Sequence, residues 1–409
     1  MKKGAFKLVA ANKELENWDK LIAREKNLYE RSGDIRSEFE RDYTRILHSL
    51  AYRRLKHKTQ VFFNTDNDHI CTRLEHVMHV ESVSSTIARY LGLNTELTRA
   101  IATGHDLGHA PFGHRGEEVL NHISNKYLNK EFWHEKNGLR FVDKLELLTD
   151  TKNNFNNLQL TYAVRDGIIS HCGEVDEKSP LMPRKELMNL NSIDRPGEYM
   201  PATWEGCVVR LSDKIAYLGR DIEDAITLKF IDDDTLKILK DTLSIRSCDE
   251  INTTVIIHNM ISDICKNSSP DIGIKLSEKY IKEINAIKQF NYKYIYKNKR
   301  LNAFKNYTEL VINSIFEALL DMYDYENTFN NLYSEIAYYP ELMGGFFRWL
   351  QKYCTIDVSE FSFEKEKHNN IKIYGNLESK EVYVQAIIDY ISGMTDGYAI
   401  KVYNELLSF

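Results

Sequence analysis

The stretch "GHDLGHAPFGHRGE", from Gly104 to Glu117, places three histidines, one aspartate and one glutamate within fourteen residues, separated by glycines and a proline. Glycine and proline at this density end helices and turn the chain. A fold built on this sequence must therefore close a helix near His105 and open another near His114, leaving several titratable side chains at the junction. The spacing matches neither a zinc finger nor a helix-borne metalloprotease site. A glycine-rich surface turn that happens to carry histidines is the plain alternative. Turns on which several titratable groups converge, however, are where function concentrates.

The surroundings read as helix. Apolar positions recur at helical spacing through Tyr43, Ile46, Leu47, Leu50 and Leu55, then through Val77, Val80, Ile87 and Leu91 up to Gly92. A third helix starts near Thr95 and a fourth near His114, with Val119, Leu120 and Ile123. "DTKNNFNNLQ" (150–159) reads as a polar loop, helix resumes over Tyr162 to His171, and 173–201 read as a long connection with four of the seven prolines. A strongly periodic helix is expected from Thr203 to Leu228. Strand signals are thin; "NIKIYG" (370–375) suits one arm of a small hairpin. The class is mainly α, with at most a small β-hairpin. Three segments are expected: a charged helical arm or partly ordered tail at 1–35, a catalytic core at 36–230, and a helical C-terminal region at 231–409 that completes the pocket and the oligomer contacts.

Composition excludes several classes. A net charge of −6 gives no global basic field for nucleic acid. The six cysteines form no C-x-x-C pair, which speaks against a disulfide framework or a thiolate zinc site and for a reducing, cytoplasmic setting. The N-terminal "MKKGAFKLVAANK" has an apolar piece too short and too broken by charge for secretion, and no run is long enough to span a membrane.

His105 and Asp106 are adjacent, and neighbours on a continuous helix diverge by about 100°. They reach one ion only where the helix ends, and Gly108 and Pro111 supply that end. Imidazole and carboxylate together suit borderline cations such as Mn, Fe, Co or Zn. Further ligands must come from elsewhere, with His76 in "RLEHVMH" and Asp213 in "RLSDKIAYLGRD" as candidates. Asp213 sits on an otherwise apolar helix, where a carboxylate needs a partner. Tyr217 and Asp221 follow at i+4 and i+8 on the same face.

These residues point to a family. "HD" at 105–106, preceded by "RLEH" and followed far downstream by "LSD", resembles the HD phosphohydrolase superfamily. "YRRLKHKTQVF", "TRLEHVMHV", "GHDLGHAPFGHRGEE", "NLQLTYAVRDGIISH" and "DYISGMTDGYA" resemble the bacterial dGTPase-like deoxynucleoside triphosphate triphosphohydrolases, from about Tyr52 to Tyr398. A vertebrate dNTPase with a SAM domain is a more distant relative. The resemblance implies an HD-domain helical core and a single divalent cation, Mn²⁺ or Mg²⁺ with Fe, Co or Zn as alternatives, held by His76, His105, Asp106 and Asp213. It implies that His109, His114, Glu117 and His134 surround the scissile phosphate. It assigns Gln60, Arg73, Lys214, Tyr217, Asp221 and Tyr398 to substrate binding. It also implies cleavage between the 5′-oxygen and the α-phosphorus, a homo-oligomer (hexamer or tetramer), activation by a second dNTP and contact with single-stranded DNA.

The chemistry is coherent on its own terms. A cation at two His and two Asp offsets charge that develops at phosphorus. His114 and Glu117 stand at i and i+3, so Glu117 is expected to orient His114 and keep it protonated. Basic groups must surround a polyanionic substrate, and Arg73, Lys214 and the run "RRLKHK" (53–58) are candidates; a solvated helix face is the plain alternative for that run. Two departures stand out: "HEKNGLR" (134–140) carries Asn137 where the family has glutamine, and "GMTDGYA" carries Gly397 where it has arginine. The competing functions are another HD phosphohydrolase, such as a 5′-nucleotidase or signalling-nucleotide hydrolase, and a non-catalytic HD protein that binds single-stranded nucleic acid.

Overall fold

The computed structural model describes residues 3–26, 33–63, 67–172, 180–243, 252–355 and 368–408. Among these, seventeen α-helices and one two-stranded antiparallel hairpin make up the regular structure, apart from short 3₁₀ and π turns. The mainly α expectation holds. No described helix is long and apolar enough to cross a membrane. The helices that position the site are α1 (Arg73–Leu91), α2 (Thr95–Gly104), α3 (Gly113–Leu128), α4 (His134–Arg140), α5 (Tyr162–Ser170), α6 (Trp204–Thr227), α7 (Lys380–Ser392) and α8 (Asp396–Leu406).

The chain forms two compact units, each built from separated segments. The first takes Met1–Ile46, Gln60–Asp106 and Leu160–Phe304; the second takes Leu47–Thr59, Leu107–Gln159 and Lys305–Phe409. The chain passes from the first unit to the second between Asp106 and Leu107, inside the histidine-rich stretch.

In the first unit, α1 starts with a capping box in which Glu75 accepts from the Thr72 N–H at 2.8 Å, and it stops at Gly92, whose φ is +84°. Asn94 then caps α2 through the N–H groups of Glu96 and Leu97. Helix α6 is the spine: Cys207, Val208, Leu211, Ile215, Leu218 and Ile222 all join one buried apolar cluster. Helices α2 and α5 approach so closely that a Cβ on Gly167 would lie 2.6 Å from three side-chain carbons of Ile101. A Cβ on Gly104 would lie 2.9 Å from Ile168. These two glycines set the spacing that brings the C-terminal ends of α2 and α5 together.

The expected N-terminal arm is instead a strap packed within the first unit. Its described part is turns with one four-residue helix, Trp18–Leu21. Phe6 is fully buried edge-to-face on Trp204, with ring centroids 5.0 Å apart. The N–H groups of Gly4 and Phe6 donate to Tyr90 and Leu91 carbonyls, and Ala11 N–H donates to the buried Glu205 carboxylate at 3.0 Å. Most of the charged residues that suggested a tail face outward, but Arg24 is inward and paired with Glu38 and Asp42, and a few small and aromatic residues anchor the strap. Residues 27–32 lie outside the described part.

In the second unit, Arg140 grips Asp389 on α7 through Nε at 2.8 Å and Nη2 at 2.6 Å, and Tyr374 Oη donates to the same carboxylate at 2.7 Å. The hairpin pairs β1 (Leu147–Thr149) with β2 (Phe155–Asn157). The expected polar loop at 150–159 holds only in part: residues 150–154 form the turn, folded around the Asp150 carboxylate, which accepts from Lys152 and Asn154 N–H groups, and 155–157 are β2 itself. "NIKIYG" forms no strand arm. The Ile371 N–H goes to the Asn157 side chain at 3.0 Å, and an isolated parallel bridge, Cys354 with Gly375, ties the segment's end to backbone. The expected connection at 173–201 has one short 3₁₀ turn, Leu190–Ser192, in its described part; residues 173–179 lie outside it.

Two outcomes follow. Gly167→Ala forces α2 and α5 apart and should lower stability by about 1–3 kcal/mol, as overpacking does; an unchanged denaturant midpoint would contradict the close approach. Asp224 on α6 accepts from the Cys71 N–H at 3.1 Å, and burial, with Asp221 and Glu223 nearby, pushes its carboxyl up from 3.8 to about 6. Between those values the folded chain holds a proton that the unfolded chain has released, so this group's contribution to stability falls as pH rises through that window. Asp224→Asn keeps the acceptor and removes the charge. It should raise the melting temperature at pH 7.5 by roughly 1–2 °C and flatten its slope between about pH 4 and 6.

Candidate active site

Three of the four expected metal-binding side chains converge in the first unit, from three helices. His76 Nε2 on α1 lies 3.0 Å from Asp213 Oδ1 on α6. His105 Nε2, at the C-terminal end of α2, lies 3.4 Å from His76 Nε2 and 3.7 Å from Asp213 Oδ1. The fourth, Asp106, has Oδ1 3.7 Å from His105 Nε2. His105 is the C-cap of α2, so it and Asp106 stand where the helix stops and both reach one region.

The electrostatics prepare a cation site. His105 Nδ1–H donates to the Ala102 carbonyl at 2.7 Å, which leaves the ring's lone pair on Nε2. Burial holds the His105 imidazole below its usual value, towards the neutral form that binds metals. Burial opposes ionisation of Asp213, yet the His76 bond and the neighbouring imidazoles hold its carboxyl down at about 2. His76, His105 and Asp213 form one group of donor atoms that could hold a divalent cation, and Asp106 joins a second group that shares His105.

Arg73, at the first turn of α1, is 1% exposed, and its Nη1 donates to Asp106 Oδ2 at 2.9 Å. Among the described residues, its Nε and Nη2 have no hydrogen-bond partner. A buried guanidinium with donors to spare suits an anionic oxygen. Gln60 Oε1 is likewise buried without a partner among the described residues.

Along α6, Lys214 points about a quarter-turn away from Asp213 and lines a cavity with Leu181, Leu211, Ile274 and Leu276. Tyr217 packs at the edge of the apolar cluster. Asp221, two turns on from Asp213, accepts a hydrogen bond from Tyr296 Oη. Tyr296 escaped the sequence reading because it lies in a Tyr- and Lys-rich segment with no motif of its own. His171 escaped it too, since "GIISH" reads as the ordinary end of a helix.

The remaining expected residues lie in the second unit. His109, His114 and Glu117 each offer a ligand atom within 4.8 Å of the others. Glu117 has His134 as its nearest imidazole: Oε2 is 3.1 Å from His134 Nδ1 and 3.6 Å from His114 Nδ1, while Oε1 accepts the His134 N–H at 3.0 Å. The i, i+3 spacing named His114 as its partner; α4 brings His134 closer. Burial would raise the Glu117 carboxyl, but the His134 charge and both imidazole bonds hold it well below the usual range. His114 is the exposed member, with 53% of its side chain accessible. His109 and His134 rings lie 3.8 Å apart between centroids.

Local packing explains this arrangement. A Cβ on Gly108 would lie 2.1 Å from both Gly138 N and His134 O, so only glycine permits the contact, and Asn137 Nδ2 donates to Gly108 O at 2.6 Å. Asn137 thus ties the loop to the helix. Asp396 at the start of α8 accepts from the N–H groups of Phe112 and Thr59, both at 2.8 Å.

The basic run 53–58 does not present one charged face. Lys58 is 3% exposed and donates to the carbonyls of His109 and Ser392; Arg54 pairs with Glu146 at 2.6 Å. Arg53, Lys56 and His57 are exposed. Tyr398 Oη bonds the Glu341 carbonyl at 3.0 Å and lies 3.1 Å from Tyr390 Oη, so it is held in a structural network. Gly397 is exposed, with open space around it.

The HD domain model matches residues 73–218, which include all four expected metal ligands, and the phosphohydrolase-associated domain model matches 372–405. A deoxyguanosinetriphosphate triphosphohydrolase-like protein of Caldanaerobacter subterraneus is 34% identical over 377 residues, 92% of this chain and 87% of that protein. Proteins of the same description from Clostridium tetani and Rickettsia rickettsii are 31% and 30% identical, over 92% and 95% of this chain and 87% and 96% of theirs. With its HD-domain residues gathered at the ends and faces of three helices, and with likeness running along nearly the whole chain, this protein belongs to the deoxyguanosinetriphosphate triphosphohydrolase-like family of HD-domain phosphohydrolases.

Proposed function

We propose that this chain hydrolyses deoxynucleoside triphosphates to deoxynucleoside and inorganic triphosphate, with a divalent cation at His76, His105, Asp106 and Asp213. The observation that carries the reading is the convergence of these side chains beside the buried Arg73 guanidinium, whose Nε and Nη2 have no partner among the described residues. When bound, the cation supplies Lewis acidity towards a phosphate oxygen and activates water. Arg73 orients Asp106 through Nη1 and offers Nε and Nη2 to the anionic substrate. Lys214 adds positive charge from α6.

Asp221, held by Tyr296, accepts a hydrogen bond from the 3′-hydroxyl. Tyr217, one turn before it, lies beneath the sugar and leaves no room for a 2′-hydroxyl. Proton transfer to the leaving 5′-oxygen falls to the Glu117-centred imidazole group. Its exposed member, His114, is the donor, and Glu117 stabilises the protonated ring. His109 and His134 complete that group. Assembly as a hexamer or tetramer, activation by a second dNTP and contact with single-stranded DNA belong to the same proposal.

The decisive experiment incubates the protein with each dNTP and Mn²⁺ or Mg²⁺, with and without a second dNTP, and separates nucleoside, tripolyphosphate and orthophosphate. Equimolar deoxynucleoside and tripolyphosphate are expected. Orthophosphate released stepwise or from monophosphates would instead identify another phosphohydrolase, and no turnover with any metal would overturn the reading. Asp213→Ala should lower turnover by roughly a hundredfold or more, as losses at metal sites do. Tyr217→Ala should reduce discrimination between dGTP and GTP by about tenfold or more; full discrimination in that variant would remove Tyr217 from sugar selection.

A further inference from the structure

Phe112 stands at the start of α3 with φ +64° and ψ +22°, the left-handed conformation. A bulky aromatic residue adopts it only where the surroundings hold it there. The side chain is 1% exposed, and the Phe112 N–H donates to Asp396 Oδ1 at 2.8 Å. Asp396 Oδ2 accepts the Thr59 N–H at the same distance. Beside Thr59, the buried Lys58 donates to the His109 carbonyl and, at 2.9 Å, to that of Ser392, the last residue of α7. The turn 109–112 is therefore tied at one end by Lys58 and at the other by Asp396. A Cβ on Gly116 would lie 1.8 Å from the Pro111 carbonyl oxygen, so the turn lies directly against the first turn of α3. All of these residues belong to the second unit.

The backbone at Phe112 sets the direction in which α3 leaves the turn. The first turn of α3 carries His114 and Glu117. From there Glu117 Oε1 accepts the His134 N–H at 3.0 Å, and Oε2 lies 3.1 Å from His134 Nδ1. The His114 ring lies 5.5 Å from that of His109 between centroids. A rotation at Phe112 would swing α3 as a body and carry His114 and Glu117 together away from His109 and His134. The Asp396 bonds that oppose this rotation run to backbone N–H groups 284 and 337 positions away in the chain.

We propose that Asp396 is a positioning residue for proton transfer: by holding the Phe112 N–H it keeps the left-handed turn and so aims His114 and Glu117. It acts through the backbone and not on the reacting atoms. The inference rests on the reading above that the Glu117-centred imidazole group transfers the proton.

The test compares the parent, Asp396→Ala and Asp396→Asn in dGTP hydrolysis with Mn²⁺. Asp396→Ala should lower kcat by roughly ten- to a hundredfold, as small misplacements of catalytic groups do, and should change KM by less than about twofold. Asparagine keeps one acceptor oxygen and turns an NH₂ towards the second N–H, so Asp396→Asn should show the same changes at smaller size. Because Asp396 acts through His114, Asp396→Ala combined with His114→Gln should be no slower than His114→Gln alone. Proton NMR with ¹⁵N-labelled histidine supplies a readout independent of turnover. The His134 Nδ1–H signal, held by the Glu117 carboxylate, should shift or vanish in Asp396→Ala, while that of His105, bonded to Ala102 in the first unit, should stay. A fall in melting temperature alone, with the parent's kcat and His134 signal, would overturn the proposal, as would losses that multiply in the double variant. Should Asp396→Ala fail to fold, Asp396→Asn decides by the same readouts. A parent that makes no tripolyphosphate would defeat the proton-transfer reading itself, and the His134 signal would still decide whether Asp396 aims the group.

Discussion

The site depends on where helix α2 stops. His105 sits at that end, and its Nδ1–H is tied to the Ala102 carbonyl. The bond satisfies a helix carbonyl that would otherwise lack a partner, fixes the ring's tautomer, and turns the Nε2 lone pair towards His76 and Asp213. Were α2 to continue, Asp106 would diverge from His105 by about 100° and the pair could not share an ion. A helix terminus, usually a matter of capping, here determines the geometry of the chemistry.

The surrounding helices exist to hold that terminus in place. Helix α1 brings His76 and Arg73, α6 brings Asp213, and the Gly167–Ile101 contact draws α5 close to α2. The charges are arranged so that each carboxylate faces an imidazole or a guanidinium. The cost of burying Asp213 is offset by His76, and that of Asp106 by Arg73. Glu117 shows the same logic in the second unit, between His134 and His114. The carboxyls of Asp213 and Glu117 are held below the usual range, so their contribution to stability is lost as pH falls towards those lowered values.

Several features were legible from the residues alone. Periodicity placed both ends of α5 and α6, the starts of α2 and α3 and the end of α1 within a residue or so, because amphipathic patterns, Asn and Thr caps and the glycine at 92 are local signals. Charge and composition misled where burial decides. The lysines and glutamates of the first 26 residues suggested a loose arm, yet Phe6, Ala10, Ala11 and Leu21 bury it. The run "RRLKHK" suggested an anion-binding face, yet Lys58 holds two backbone carbonyls inside the second unit. A lysine's role depends on which carbonyls come near it, and nothing in the hexapeptide records them.

The sequence by itself determined the helices, the break at 104–113 and the residue types available for chemistry. These follow from interactions among neighbours in the chain, such as caps, turns and apolar periodicity. Tertiary structure alone decided the partnerships: Glu117 with His134 more closely than with His114, Asp221 with Tyr296, and His171 beside His105. Each joins residues from 17 to 75 positions apart. Hydrogen bonds and ion pairs over such separations depend on how helices pack. Packing is set by the volumes that meet at places like Gly167 and Ile101, which no local pattern encodes.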